Sequence, residues 1–203
     1  MTEAFPGGSR FTVDDLFSLA AGGVRGEVLD GRLLLAPPRL RRHERVVDNL
    51  AARFRLVLPD RSQVCSHAPV RLPDGDGPVP DLLVTTASGW PSGWPVTQVH
   101  TVVEVVATDG RYVDRVWKRQ LYADAGIPCY WRVELTSPPW LRSSGPVVVV
   151  RVREPTGWRE IVVGGGGLRT LPVAYGRGRA GAALTVSMRL DPRSLVSRPV
   201  FGI

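Results

Sequence analysis

The chain has 203 residues, 43% of them hydrophobic, with a formal net charge of +7 and an isoelectric point near 10.4. That hydrophobic content excludes a disordered chain, and no apolar run approaches the ~20 residues of a membrane span. The length suits one domain with a real core, and the basicity favours polyanionic partners such as nucleic acid. We therefore expect a single domain over 1–203, with a core at about 12–163 and a C-terminal extension over 164–203. Met1 to Gly8 lacks a basic region followed by an apolar stretch, and Cys65 and Cys129 have no metal-ligand spacing. Both features fit a cytoplasmic protein with reduced thiols.

In chain order, Thr12 caps a short helix through Phe17 that ends at Gly22-Gly23. Val24–Leu29 and Arg32–Ala36 flank Asp30-Gly31, a pair suited to a tight hairpin turn. Pro37-Pro38 stops the second strand, and a basic cluster with Arg39, Arg41, Arg42 and Arg45 surrounds His43. Leu40–Leu58 is helical in pattern, with Val46, Val47, Leu50, Phe54, Val57 and Leu58 forming one apolar stripe. Gln63–Leu72 predicts a strand, followed by a turn cluster at Pro73–Pro78. Two apolar strands follow, then an amphipathic helix over Arg111–Ala125, then a strand over Pro128–Glu134. A strand, helix and strand at this spacing form a crossover, so the sheet must be partly parallel. Val147–Val152 and Trp158–Val163 predict a hairpin, and Leu184–Leu190 a last strand. Arg177-Gly178-Arg179 is read as a loop.

Three residues in the middle of the chain stand out by chemistry. Asp81 opens the apolar segment Leu82-Leu83-Val84, and Glu104 interrupts Val102-Val103-Glu104-Val105-Val106. A carboxylate inside an apolar run must be paired, protonated or metal-bound. Lys118 is the only lysine, so every other member of the 26 Lys and Arg residues is Arg. Phosphodiester hydrolysis needs carboxylates to hold a divalent ion and a cation to orient the nucleophile or offset developing charge. Oxygen donors on strands ~4.8 Å apart suit Mg²⁺ or Mn²⁺. Asp114 and Lys118, four apart, share a helix face. No Gly-x-Ser-x-Gly elbow or Cys/His pair supports acyl transfer instead.

These residues resemble a known family. Val79-Pro80-Asp81, Thr101 to Val106, Asp114, Lys118, Tyr122-Ala123, Gly126-Ile127-Pro128 and Tyr130-Trp131 are similar to the Uma-two restriction endonucleases, a branch of the PD-(D/E)XK superfamily. Glu27-Val28-Leu29-Asp30-Gly31 and Pro37-Pro38 with His43 resemble its earlier blocks. The resemblance covers about 12–135. It implies a restriction-endonuclease-like α/β (α+β) fold, a mixed central sheet flanked by helices, with hairpins on the N- and C-terminal sides. It further implies an Mg²⁺- or Mn²⁺-dependent endonuclease acting on DNA. Asp81, Glu104 and Lys118 would be catalytic, with Asp81, Glu104 and Glu27 as metal ligands and Asp114 and His43 as accessory residues. Arg39, Arg41, Arg42 and Arg45 would contact phosphates.

The superfamily's usual lysine position, two residues after the acid, holds Val106; the resemblance implies that in this branch the lysine lies on the next helix, where Lys118 fits. One departure qualifies the match. The family's Ser-Pro-rich turn is replaced by Ala107-Thr108-Asp109-Gly110. The competing expectation is a nuclease fold that binds nucleic acid or protein without cutting. A homodimer is compatible with two-strand cutting, though no residue argues for it.

Overall fold

A computed structural model describes residues 10–36, 38, 40–87, 92–106, 116–136 and 145–197. Helix α1 (Val13–Ala21) begins where expected: the Asp15 carboxylate accepts the Thr12 backbone N–H at 2.7 Å, closing the first turn. Strands β1 (Gly26–Leu29) and β2 (Arg32–Leu35) form the predicted hairpin. Asp30 and Gly31 both have positive φ, 53° and 68°, as a two-residue turn of this hand demands. The buried Asp76 carboxylate accepts both turn N–H groups, at 2.5 and 2.9 Å. A bridge between Val28 and Gly77 adds a second tie between the hairpin and the 73–78 turn.

The centre is a six-stranded sheet in the order β10-β9-β8-β7-β5-β3. Its members are β3 (Gln63–Ser66), β5 (Leu82–Thr85), β7 (Val99–Val106), β8 (Cys129–Glu134), β9 (Val147–Glu154) and β10 (Gly157–Gly164). The pair β7–β8 is parallel and every other neighbour antiparallel. The sheet is therefore mixed, and its parallel step is the predicted crossover. The Gln63–Leu72 expectation resolves into β3 and a two-residue strand β4 (Val70–Arg71), which pairs with β6 (Trp94–Pro95).

Alternate residues of each strand face opposite layers. Leu82, Val84, Val103, Val105, Trp131 and Val133 point to one side, against Val46, Val47, Leu50 and Phe54 of α2 (Arg41–Val57). That layer is completed by β11 (Arg169–Arg177) and β12 (Ala183–Leu190), an antiparallel pair whose Leu171, Val173, Ala174, Met188 and Leu190 are buried. β12 matches the expected last strand. β11 has no counterpart in the sequence reading, because Pro172 and Gly176 disguise it. It is tied in by side chains: Thr101 donates to the Ala174 carbonyl at 2.8 Å and Trp131 Nε1 to that of Pro172 at 3.1 Å. Arg177, read as part of a loop, closes β11 and reaches the carbonyls of Val96, Val99 and Gly126.

The opposite face of the sheet carries Leu83, Val102 and Tyr130, packed with Tyr122 and Ile127. Tyr122 lies on α3 (Lys118–Asp124). The earlier part of the predicted helix, including Asp114, lies outside the described residues, as do Arg39 and the 107–110 turn. Among the described residues no helix is long and apolar enough to cross a membrane. Both cysteines are free, and burial pushes the Cys129 thiol up to about 11.

Candidate active site

The register of β5 and β7 sets the geometry. Leu82 is paired with Val103 in an antiparallel ladder, so Asp81, one step before, lies opposite Glu104. Directly opposed residues of such a pair point to the same face. Here that face is the one α3 covers. The two carboxylates isolated in the sequence are thus cross-strand neighbours. Asp81 also continues the ladder with its side chain: Oδ2 accepts the Val105 N–H at 2.8 Å.

Lys118, at the start of α3, projects its ammonium into this layer. Its Nζ is 2.9 Å from Glu27 Oε2 and 3.3 Å from Glu104 Oε1. Burial is nearly complete: Lys118 is 3% exposed, Glu27 4%, Glu104 5% and Asp81 7%. Charges this deep persist because they face one another. Glu27 comes from the N-terminal hairpin, and its Oε2 also accepts the Val79 N–H at 3.2 Å. Four residues from four separate parts of the chain therefore meet, and all four were named from the sequence.

Tyr122, four residues after Lys118 on the same helix face, donates its hydroxyl to Glu104 Oε1 at 2.9 Å. Burial, and then the charges of Glu104 and Glu27, push this phenol well above its ordinary value, so it remains a neutral donor. In the sequence Tyr122 stood only among the residues that carry the family resemblance. The structure buries it completely and gives it a polar contact as well. On β8, Arg132 lies beside Glu104 in register, and its Nε is 2.9 Å from Glu134, extending the polar strip.

His43 does join the cluster. Its Nε2 is 3.1 Å from Asp81 Oδ2. Burial resists the charge on Asp81, but the bond and charge of His43, the Val105 N–H and the Lys118 ammonium outweigh it. The carboxyl is held below its usual range. Beyond it lie Glu44 and His67, which the sequence reading did not single out. Glu44 carried a signal as the neighbour of His43. His67 carried none.

The α2 arginines have structural partners. Arg42 donates to the Leu135 carbonyl at 3.0 Å, and Arg45 reaches the Val196 carbonyl at 3.5 Å. Arg41, in the first turn of α2, is exposed. Arg39 lies outside the described residues.

The donor set can be tested against a divalent ion. Among the described residues no group of three or more His, Cys, Asp or Glu side chains is arranged to hold one as it stands. Lys118 occupies the space between Glu27 and Glu104. The chemistry nevertheless fits: Asp81 and Glu104 are hard oxygen donors at opposed positions of neighbouring strands. Glu27 Oε1 is a buried oxygen that no hydrogen-bond donor meets among the described residues.

The arrangement is thus a mixed sheet with two opposed strand carboxylates and a lysine on the crossover helix. The chain belongs to the Uma2 family, described as "Putative restriction endonuclease", whose match spans residues 13–176. Its fold is also that of a crystal structure described as a "putative nuclease belonging to DUF820 from Anabaena variabilis ATCC 29413". The two agree with a TM-score of 0.63 over 92% of this chain and 99% of that one, at 14% identity. No curated protein matches the chain.

Proposed function

We propose that this protein is a metal-dependent endonuclease that hydrolyses phosphodiester bonds in DNA. The observation carrying the reading is the pairing of Asp81 with Glu104 on one sheet face, with the Lys118 ammonium 3.3 Å from Glu104. Asp81 and Glu104 would hold Mg²⁺ or Mn²⁺, with Glu27 as a further ligand. Bound there, the ion would supply Lewis-acid activation of the phosphate and of water.

The chain's own residues do the rest. Glu104 is oriented by the Tyr122 hydroxyl and by Lys118. Asp81 is held ionised by His43 and the Val105 N–H, so it presents negative charge at neutral pH. Lys118 is a fixed positive charge beside the acids, where it orients water or offsets charge gathering on the phosphate. Arg41, with the guanidinium nitrogens of Arg42 and Arg45 not spent on carbonyls, would add salt-dependent affinity for the backbone.

The test is conversion of supercoiled plasmid to nicked or linear forms. Wild-type protein is expected to nick with Mg²⁺ or Mn²⁺ and to stop with a chelator. Asp81→Ala should be slower by about 100-fold or more. Absence of metal-dependent nicking, or equal rates in both proteins, would overturn the enzyme reading. A second reading has one observation behind it: the Lys118 ammonium already occupies the space between Glu27 and Glu104. A site so filled could bind DNA without cutting it, which would show as a salt-sensitive gel shift with no nicking.

A further inference from the structure

His67 belongs to none of the motifs in the sequence, yet it stands against Asp81. Its backbone lies in the left-handed region at φ 53°. Residues with a Cβ seldom adopt that conformation; His does so more often than most, and such residues are found in turns and at active sites. The His67 N–H donates to the Asp81 carbonyl at 3.1 Å, which ties this turn to the residue it faces.

The side chains repeat the link. His67 Nε2 is 3.1 Å from Glu44 Oε2, and its Nδ1 is 3.6 Å from Asp81 Oδ1. The His43 ring spans the same two acids: Nε2 is 3.1 Å from Asp81 Oδ2 and Nδ1 is 3.4 Å from Glu44 Oε1. The rings are stacked, with centroids 6.5 Å apart and planes at 23°. Each imidazole thus makes one hydrogen bond, His43 to Asp81 and His67 to Glu44, and its other nitrogen stands at ion-pair distance from the second acid, so each oxygen of Asp81 faces a different ring. A carboxylate approached at one oxygen can still turn about its Cβ–Cγ bond. Here Oδ2 is bonded by His43 and the Val105 N–H, and the His67 ring at Oδ1 biases the plane from the other side; groups that orient a ligand in this way govern its use.

We propose that His67 is a positioning residue: with His43 and Glu44 it sets the plane of the Asp81 carboxylate, and its left-handed backbone is retained for that purpose. The inference rests on the nuclease reading above and adds a residue to it.

Two variants test it, because both accept positive φ. His67→Gly removes the ring and the backbone strain, and His67→Asn keeps a short polar side chain. His67→Gly is expected to melt at or above the wild-type temperature. Its affinity for Mn²⁺ by titration calorimetry should nevertheless fall about 10–100-fold, as for other residues that orient a ligand. Plasmid nicking should lose kcat while KM for DNA stays unchanged, and His67→Asn should recover part of the Mn²⁺ affinity. The proposal is overturned if His67→Gly binds Mn²⁺ as the wild type does. It is equally overturned if both variants melt well below wild type with Mn²⁺ affinity intact, which would make the ring purely structural. Wild-type protein that neither binds Mn²⁺ nor nicks DNA defeats the nuclease reading. Wild type that does both, alongside an equally competent His67→Gly, defeats only this inference.

Discussion

Lys118→Met removes the ammonium and keeps most of the side chain's length. At an effective dielectric constant of 20, contacts of 2.9 and 3.3 Å correspond to roughly 5–6 kcal/mol of attraction each. Desolvation of a lysine only 3% exposed offsets much of that. What the variant feels is different: Glu27 and Glu104 are left buried with no ammonium between them. Removing one partner of such a pair costs about 3–5 kcal/mol. For a chain of this size the melting temperature should fall by about 6–20 °C. Differential scanning calorimetry at neutral pH measures it, with circular dichroism to confirm the folded state. Lowering the pH or adding Mn²⁺ supplies positive charge by another route. The deficit should therefore shrink under both, and Mn²⁺ should raise the variant's melting temperature more than the wild type's. A variant melting within about 2 °C of wild type would show that the ion pairs contribute nothing net, and the ion-pair account of the site would be wrong.

Other outcomes are expected. Tyr122→Phe deletes a hydroxyl that donates to a buried carboxylate at 2.9 Å. Urea denaturation should show a loss of about 1.5–3 kcal/mol. His100 is depressed to about 4, by burial first and then by Arg177 and Arg61. Its folded value lies below its unfolded one, so the unfolded chain takes up the proton first. Stability should therefore decline as pH falls from about 6.5 towards 4, and His100→Gln should flatten that slope in urea midpoints measured across the interval.

The legible residues were those whose chemistry conflicted with their surroundings. Glu104 stood in a run of valines, Asp81 opened an apolar strand, and Lys118 was alone among arginines. Each conflict pointed to a partner, and the fold supplies it. The stripe Val46, Val47, Leu50 and Phe54 was legible for the same reason, since helical periodicity and burial agree there. β11 was hidden because a proline and a glycine break its pattern, and its place in the core depends on hydrogen bonds from Thr101 and Trp131. His67 and Glu44 were hidden because their meaning lies in an approach across chain separations that no local pattern records. Arg42 suggested phosphate contact by type. Its hydrogen bond to the Leu135 carbonyl comes from tertiary packing.

The hairpin that delivers Glu27 is attached by the Asp76 carboxylate, the Val28–Gly77 bridge and the Val79 N–H. None of these ties involves the main sheet's own ladder. The charged centre is therefore completed by contacts outside the sheet's ladder. A chain with Asp81, Glu104 and Lys118 already in place lacks its fourth charge until the hairpin closes over them. Any loosening of that clasp would withdraw Glu27 while leaving the sheet whole, so hydrogen exchange at the Asp30 and Gly31 amides would report on the completeness of the site.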